Sequence, residues 1–365
     1  MELSNYFLWF GCIVVLYTAL TITQIPLHKF NRLWLNIIIL VVKIILVLLF
    51  AFLNISIEGF LLWRIPLILG GLHVIFSAEV VVDIIYLIVG IFKKGKMRLF
   101  TRNAIGLMAT LILALAGTIN MQIITPSYKE YKSDLLNHNY KVIFVSDLHY
   151  GSAQSFEVVD KLFENIKKEN PDILILGGDI TDEFTKKDEM MYLYSLIGGY
   201  NMNTYFVYGN HDRQGHASYI GGPQYTEEEL INTLKANNIT ILKDEYRTIN
   251  DDLVILGRES YNSPDRKKVE DLPARPEGKF VINIDHSPYL EDDIIKTKAN
   301  LQISGHTHDG QYFPLDLLYS MTVKYSHGWF KVGGTDLFVS AGAGGWYVPY
   351  RTSSFCNYEV FNLSR

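Results

Sequence analysis

Seven side chains beyond residue 140 are of types that hold divalent cations, and each follows an apolar run closely. Lys141–Ser146 leads into Asp147, Leu148 and His149. Asp172–Leu176 leads into Gly178 and Asp179, with Asp182 three residues further on. Thr204–Tyr208 leads into Gly209, Asn210, His211 and Asp212. Later runs end at Asp285 and His286, and at Gly305, His306, Thr307 and His308, with Asp309 next. Asp147, Asp179 and Asn210 offer oxygen, while His149, His286, His306 and His308 offer imidazole nitrogen. A mixed set without thiolate suits hard-to-borderline divalent ions. Seven donors are too many for one ion, but a bridging carboxylate lets them hold two. Two ions about 3.5–4 Å apart acidify a bridging water and neutralise the charge of an in-line phosphoryl displacement.

Positioning these groups requires strands that alternate with helices. Besides the five runs above, of which the last two are Phe280–Ile284 and Leu301–Ser304, Leu253–Leu256 and Asp336–Ser340 read as strands. Ser155–Glu169 has helical spacing, with Phe156, Val159, Leu162, Phe163 and Ile166 along one face, and Lys186–Ile197 reads as a second helix. Such alternation argues an α/β sandwich. Its chemistry belongs in the loops at the C-terminal ends of the strands, where glycine lets the backbone turn sharply.

The order D-x-H, G-D-x-x-D, G-N-H-D, a lone His after a strand, then G-H-T-H resembles the calcineurin-like metallophosphoesterase superfamily. The resemblance covers nearly all of the chain from Lys141. One such piece arises by chance; five in the family's order are specific. Val339–Phe361 also looks like the end of membrane-linked members, which include UDP-diacylglucosamine pyrophosphatase-like enzymes. The resemblance implies two sheets flanked by helices and two divalent metal ions, manganese first, with iron or zinc as alternatives. It implies one metal held by Asp147, His149, Asp179 and His308. Asp179 would bridge to a second, held with Asn210, His286 and His306. His211 is then expected beside the substrate phosphate, stabilising the transition state and protonating the leaving oxygen. Asp212 is expected to accept from the other ring nitrogen of His211. Asp309 stands where many relatives have glycine and adds negative charge without removing a ligand. Asp182 reads either as an orienter of a ligand or as a helix N-cap, and Asp285 and His216 as structural or solvated. Candidate substrate contacts are Arg213, Arg258 and Arg351, since arginine suits bidentate phosphate binding, and Tyr150 beside a ligand. Trp346, Tyr347 and Tyr350 suit a groove, a membrane interface or the core.

The first part of the chain is of another kind. Apolar stretches at about Tyr6–Ile25, Leu33–Ile57, Ile65–Phe92 and Ala104–Ile124 each reach the ~20 residues that cross a bilayer. The expected organisation is a four-helix transmembrane bundle over 1–124, a polar linker over 125–140 and the phosphoesterase domain over 141–365. The first loop holds Lys29 and Arg32. The second balances Glu58 with Arg64, and the third holds Lys93, Lys94, Lys96, Arg98 and Arg102. The positive-inside rule puts the first and third loops in the cytoplasm, and so the catalytic domain outside. Lys43, Glu79 and Asp83 lie within the spans, Glu79 and Asp83 on one helix face. They read as an interhelical ion pair or as an ion path.

Charge separates the two parts. Up to residue 124 there are nine Lys/Arg against four Asp/Glu, and the rest holds 24 against 34. An acidic catalytic domain gives no support to a nucleic-acid partner. Cys12 and Cys356, the only cysteines, make no CxxC pair. Three readings of function follow. The first is a metal-dependent phosphoester or pyrophosphate hydrolase acting on a lipid or lipid-linked substrate at the outer membrane surface. The others are a hydrolase of soluble extracellular phosphoesters, and a membrane sensor or transporter with a regulatory phosphoesterase-like domain. Oligomeric state is not legible.

Overall fold

The computed structural model describes residues 13–17, 38–39, 41–46, 65–92, 99–151, 154–313, 315–346 and 348–365. The chain divides into two compact units, Met1–Ile119 and Asn120–Arg365. In the first, α1 (Ile65–Phe92) and α2 (Leu99–Gln122, which runs on into the second unit) are predominantly apolar helices. Their segments Gly70–Ile88 and Thr101–Gln122 are each long and apolar enough to cross a membrane. The expected spans 6–25 and 33–57 lie largely outside the described residues, although 13–17 and 41–46 within them are helical. Cys12 and the loop charges Lys29, Arg32, Glu58, Arg64, Lys93, Lys94, Lys96 and Arg98 also lie outside them.

Charges in the first unit meet one another. Lys43 Nζ lies 2.9 Å from Glu79 and 2.6 Å from Asp83, as an interhelical pair would. Arg102, assigned to the third loop from sequence, is instead buried in α2 and pairs with both acids. Two cations facing two anions compensate the desolvation that each would suffer alone.

Strands apolar at every position belong between two covered faces, and most strands of the second unit are of that kind. The first sheet holds β1 (Thr125–Lys132), β2 (Tyr140–Val145), β3 (Ile173–Leu176), β4 (Thr204–Phe206), β5 (Thr240–Ile241) and β12 (Asn357–Ser364), in the order β1-β12-β2-β3-β4-β5. The second holds β6 (Glu245–Thr248), β7 (Leu253–Gly257), β8 (Phe280–Ile284), β9 (Leu301–Ser304), β10 (Gly328–Val332) and β11 (Thr335–Val339), in the order β10-β11-β9-β8-β7-β6. Both are mixed: β2 to β5 run parallel, as do β7, β8, β9 and β11. Period-two alternation divides each strand between two cores. Val142 and Phe144 of β2 face Ile255, Ile282 and Ile303 between the sheets. Ile143 and Val145 face the helices α3 (Phe156–Glu169), α4 (Lys187–Gly199) and α5 (Glu227–Ala236).

The segment expected to be a linker carries β1. Thr125–Lys132 pairs in parallel with β12 along its length. Its polar sequence hid this because an edge strand is covered on one side only. Tyr131 supplies its anchor, with its ring 5.5 Å from Phe280 and 6.1 Å from Trp329. Two more helices, α6 (Glu291–Thr297) and α7 (Leu315–Thr322), complete the unit.

Candidate metal centre

Backbone geometry sets the candidate ligands before any side chain is considered. Asp147, His149, Asp179, His306 and His308 all have φ between 47 and 72°. That region costs a non-glycine residue roughly 1–2 kcal/mol, so five such residues mark strain held in place by their surroundings. Each stands in the loop just past the C-terminal end of β2, β3 or β9. Two glycines make room: a Cβ on Gly305 would collide with the Asp147 carboxylate, and one on Gly209 with that of Asp179.

The side chains converge as two groups. Asp147, His149 and His308 place one donor atom each within 4.8 Å of one another, and so do Asp179, His286 and His306. In the first group His308 Nε2 is 3.5 Å from Asp147 Oδ1 and 3.2 Å from His149 Nε2. In the second, His286 Nε2 is 2.9 Å from Asp179 Oδ2. The groups adjoin, since His149 Nε2 lies 4.0 Å from Asp179 Oδ2 and His286 Nε2 lies 4.0 Å from Asp147 Oδ1. Asn210 Oδ1 is buried without a hydrogen-bond partner. Two buried carboxylates, imidazole nitrogens that face each other and an orphaned amide oxygen are a donor set that fits two divalent cations.

Electrostatics point the same way. Burial pulls the His286 imidazole down, but Asp179 and Asp147 outweigh it and hold it at about 10. His211 is also held at about 10, burial being outweighed by Asp179 and Glu183. Burial and the neighbouring His286 push His306 down to about 3. The two central carboxylates thus draw positive charge into a largely buried site, a demand that metal ions meet while displacing protons.

Surrounding groups fix the rings. His286 Nδ1 donates to the Gly177 carbonyl at 2.9 Å, which leaves Nε2 to face Asp179. Asp182 Oδ2 lies 3.4 Å from His149 Nδ1, the orienting alternative; the N-cap of α4 is Lys186. His211 departs from expectation. Its Nδ1 contacts Glu183 at 2.8 and 3.0 Å, not Asp212. Asp212 instead accepts from the backbone N–H groups of Asp179, Ile180, Thr181 and Gly209 at 2.7–3.1 Å. It braces one ligand loop against another.

The proposed substrate contacts are committed elsewhere. Arg213 is bidentate to Glu259, pairs with Glu227 and lies over the Tyr208 ring. Arg258 is fully buried against Asp244 and Asp293. Arg351, also buried, donates to the carbonyls of His308, Ala341 and Gly344 and thereby holds the C-terminal loop. A guanidinium that answers buried carboxylates or carbonyls is lost to phosphate. Tyr150 turns into the helix–sheet core, 5.5 Å from the Phe156 ring. Asp309 lies 3.5 Å from His327, and Asp285 is structural, bound by Arg266 at 2.6 Å. The His216 ring lies 6.0 Å from that of His211.

Aromatic rings that sequence did not assign to the site border its histidines. The rings of Tyr289 and Tyr261 are 5.1 and 5.4 Å from His306. Trp346, a groove candidate, stands 5.6 Å from His211. Tyr350 is buried and stacks on Tyr312, and Tyr347 lies outside the described residues. Glu183 had a faint signal in its place beside Asp182. The tyrosines had none, because they come from remote loops.

Comparison with known proteins agrees with the geometry. Residues 140–310 match the family model described as calcineurin-like phosphoesterase. An uncharacterized metallophosphoesterase of Helicobacter pylori is 31% identical over 227 residues, 60% of this chain and 58% of its own length. The metallophosphoesterase YkuE of Bacillus subtilis is 25% identical over 302 residues, 74% of this chain and 98% of its own. A transmembrane protein with metallophosphoesterase domain from Danio rerio is 22% identical over 292 residues, 72% of this chain and 62% of its own. The chain spans less than two thirds of the length of the Helicobacter relative.

Proposed function

From the calcineurin-like phosphoesterase domain that this chain carries over residues 140–310, we propose that it is a dinuclear metallohydrolase of phosphoesters at a membrane surface. The observation that carries the reading is the pair of adjoining donor groups, with Asp179 between them and His211 beside Asp179. Two bound ions, manganese being the first candidate, would activate water and neutralise phosphoryl charge. Asp147, His149 and His308 would hold one, and His286, His306 and Asn210 the other, with Asp179 shared. His211, its Nδ1 held by Glu183, presents Nε2 to the leaving oxygen as a general acid.

The apolar segments Gly70–Ile88 and Thr101–Gln122 support membrane attachment, and only Ile123 and Ile124 separate Gln122 from β1. The further apolar stretches 6–25 and 33–57 and the basic residues of the first and third loops, read by the positive-inside rule, support a site outside the cytoplasm. A lipid or lipid-linked phosphoester or pyrophosphate is then the substrate class, as the likeness of 339–361 to membrane-linked enzymes also suggests.

The test is purified full-length protein with p-nitrophenyl esters and added Mn²⁺. Turnover is expected from the parent, together with two metal ions per chain by elemental analysis. Asp179→Asn should lose both ions and at least a thousandfold in rate without losing the fold. One ion in the parent, or a fully active variant, removes the shared-carboxylate assignment. A parent that binds two ions yet hydrolyses no ester favours the regulatory reading.

A further inference from the structure

The helix that follows the last two candidate ligands presents apolar side chains to water. α7 begins shortly after the turn His308–Gly310. From it Tyr319 shares a hydrogen bond with Tyr289 at 2.7 Å, and the Tyr289 ring borders His306. Leu317 and Met321, four apart and so on one helix face, are 55% and 81% exposed. Phe313, just before the helix, is also exposed, and its N–H donates to Thr352 Oγ1 at 3.1 Å. That bond joins it to the loop 351–356, where Phe355 is 76% exposed. Single exposed apolar residues are ordinary. Four large ones on two linked segments beside a metal cleft are not.

What these residues face is indicated by the other attachment of the loop. Asn120 Nδ2 donates to the carbonyls of Arg351 and Ser354 at 3.0 and 2.8 Å. Thr125 N donates to the Cys356 carbonyl at 3.1 Å, and Cys356 packs on Met121. Asn120 and Met121 belong to the last turn of α2, where the apolar segment Thr101–Gln122 ends, and Ile123 just beyond is half-exposed. The loop that bears Phe355 is therefore fastened to the residues at which a membrane-crossing segment stops. Apolar side chains at that level settle among lipid headgroups.

Resting on the membrane-bound reading above, we propose that Phe313, Leu317, Met321 and Phe355 form a surface that enters the lipid interface. This surface sets the metal cleft at the depth of a lipid's phosphoester. Because α7 carries Leu317 and Met321 of this surface together with Tyr319, the hydrogen-bond partner of the Tyr289 that borders His306, insertion and substrate capture share one element. The favoured substrate keeps its apolar tail in the bilayer and offers only its head to the cleft.

The experiment uses the full-length chain in phosphatidylcholine vesicles containing one-fifth phosphatidylglycerol. A nitroxide on Met321→Cys, in a Cys12→Ala background, reports depth; Cys356 is buried and escapes labelling. Leu317→Gln/Met321→Gln/Phe355→Gln is assayed on p-nitrophenyl phosphodiesters with a methyl or a hexadecyl second group, which share one leaving group. Expected are a label relaxed by oxygen more than by a water-soluble nickel complex, hexadecyl turnover down at least tenfold, and methyl turnover within twofold of the parent. A label relaxed mainly by nickel, or equal losses on both esters, overturns the proposal. So does a dimer that the triple variant dissolves, since the surface would then bind a second copy. A parent inactive on both esters removes the hydrolase reading instead, while the label depth still decides whether the surface meets lipid.

Discussion

A histidine that protonates a leaving oxygen needs its far nitrogen held by an acceptor, and the carboxylate within reach of His211 is that of Glu183. Motif order had given that task to Asp212, the adjacent residue. Adjacency along a tight turn sends Asp212 the other way, into four backbone N–H groups. Substitution separates the two acids. Glu183→Gln should keep both metals and the melting temperature, and lose about tenfold to a hundredfold in rate. The loss should be greatest on esters with poor leaving groups, as a linear free-energy series over substituted phenyl esters would read. Asp212→Asn should instead destabilise the protein by on the order of 2–3 kcal/mol, seen as a lower melting temperature before any change in leaving-group dependence. Types and order of the candidate ligands were legible in the sequence. Which carboxylate reaches which ring was not, because that depends on how a left-handed turn aims each side chain.

At the level of elements, continuous apolar runs located β2, β3, β4, β7, β8, β9 and β11 to within a residue or two. β1 escaped because all of its register partners lie in a strand more than 200 residues later and its own sequence is polar. Asp252 shows how the stretch between β1 and β2 is held. It accepts from the N–H groups of Asn137 and His138 and from the Tyr140 hydroxyl, across from the turn before β7. Burial raises its pKa, but these donors outweigh it and hold the carboxyl at about 2, below the ~3.9 of a free aspartate. The stabilisation is thus fully present above about pH 4 and is lost as pH falls toward 2. Asp252→Asn should cost on the order of 2 kcal/mol at neutral pH. In thermal melts the gap between variant and parent should close between pH 4 and 2, and a gap that is constant with pH would assign the effect to shape alone.

For the whole molecule, sequence separated an apolar first part from an acidic α/β part. It did not foresee that Arg102 leaves the third loop to meet Glu79 and Asp83, because a guanidinium at a helix start reads as a loop charge until its partners are known. Four basic residues, Lys93, Lys94, Lys96 and Arg98, remain in that loop, enough to keep the charge bias. Single cysteines at Asn137, in a background without Cys12, should accordingly react with an impermeant thiol reagent in intact cells. Labelling only after lysis would place the cleft inside, among nucleotides and inner-leaflet lipids. The arrangement of the first sheet carries a consequence of another sort. β12 lies between β1 and β2, so the strands that leave the ribosome first in this unit are joined only by the one that leaves last. Until residue 364 has been made, β1 has no neighbour and the metal-bearing half of the sheet has an open flank. The first sheet therefore cannot be completed before that strand has been made, and its β1 flank is the last part of the unit to close.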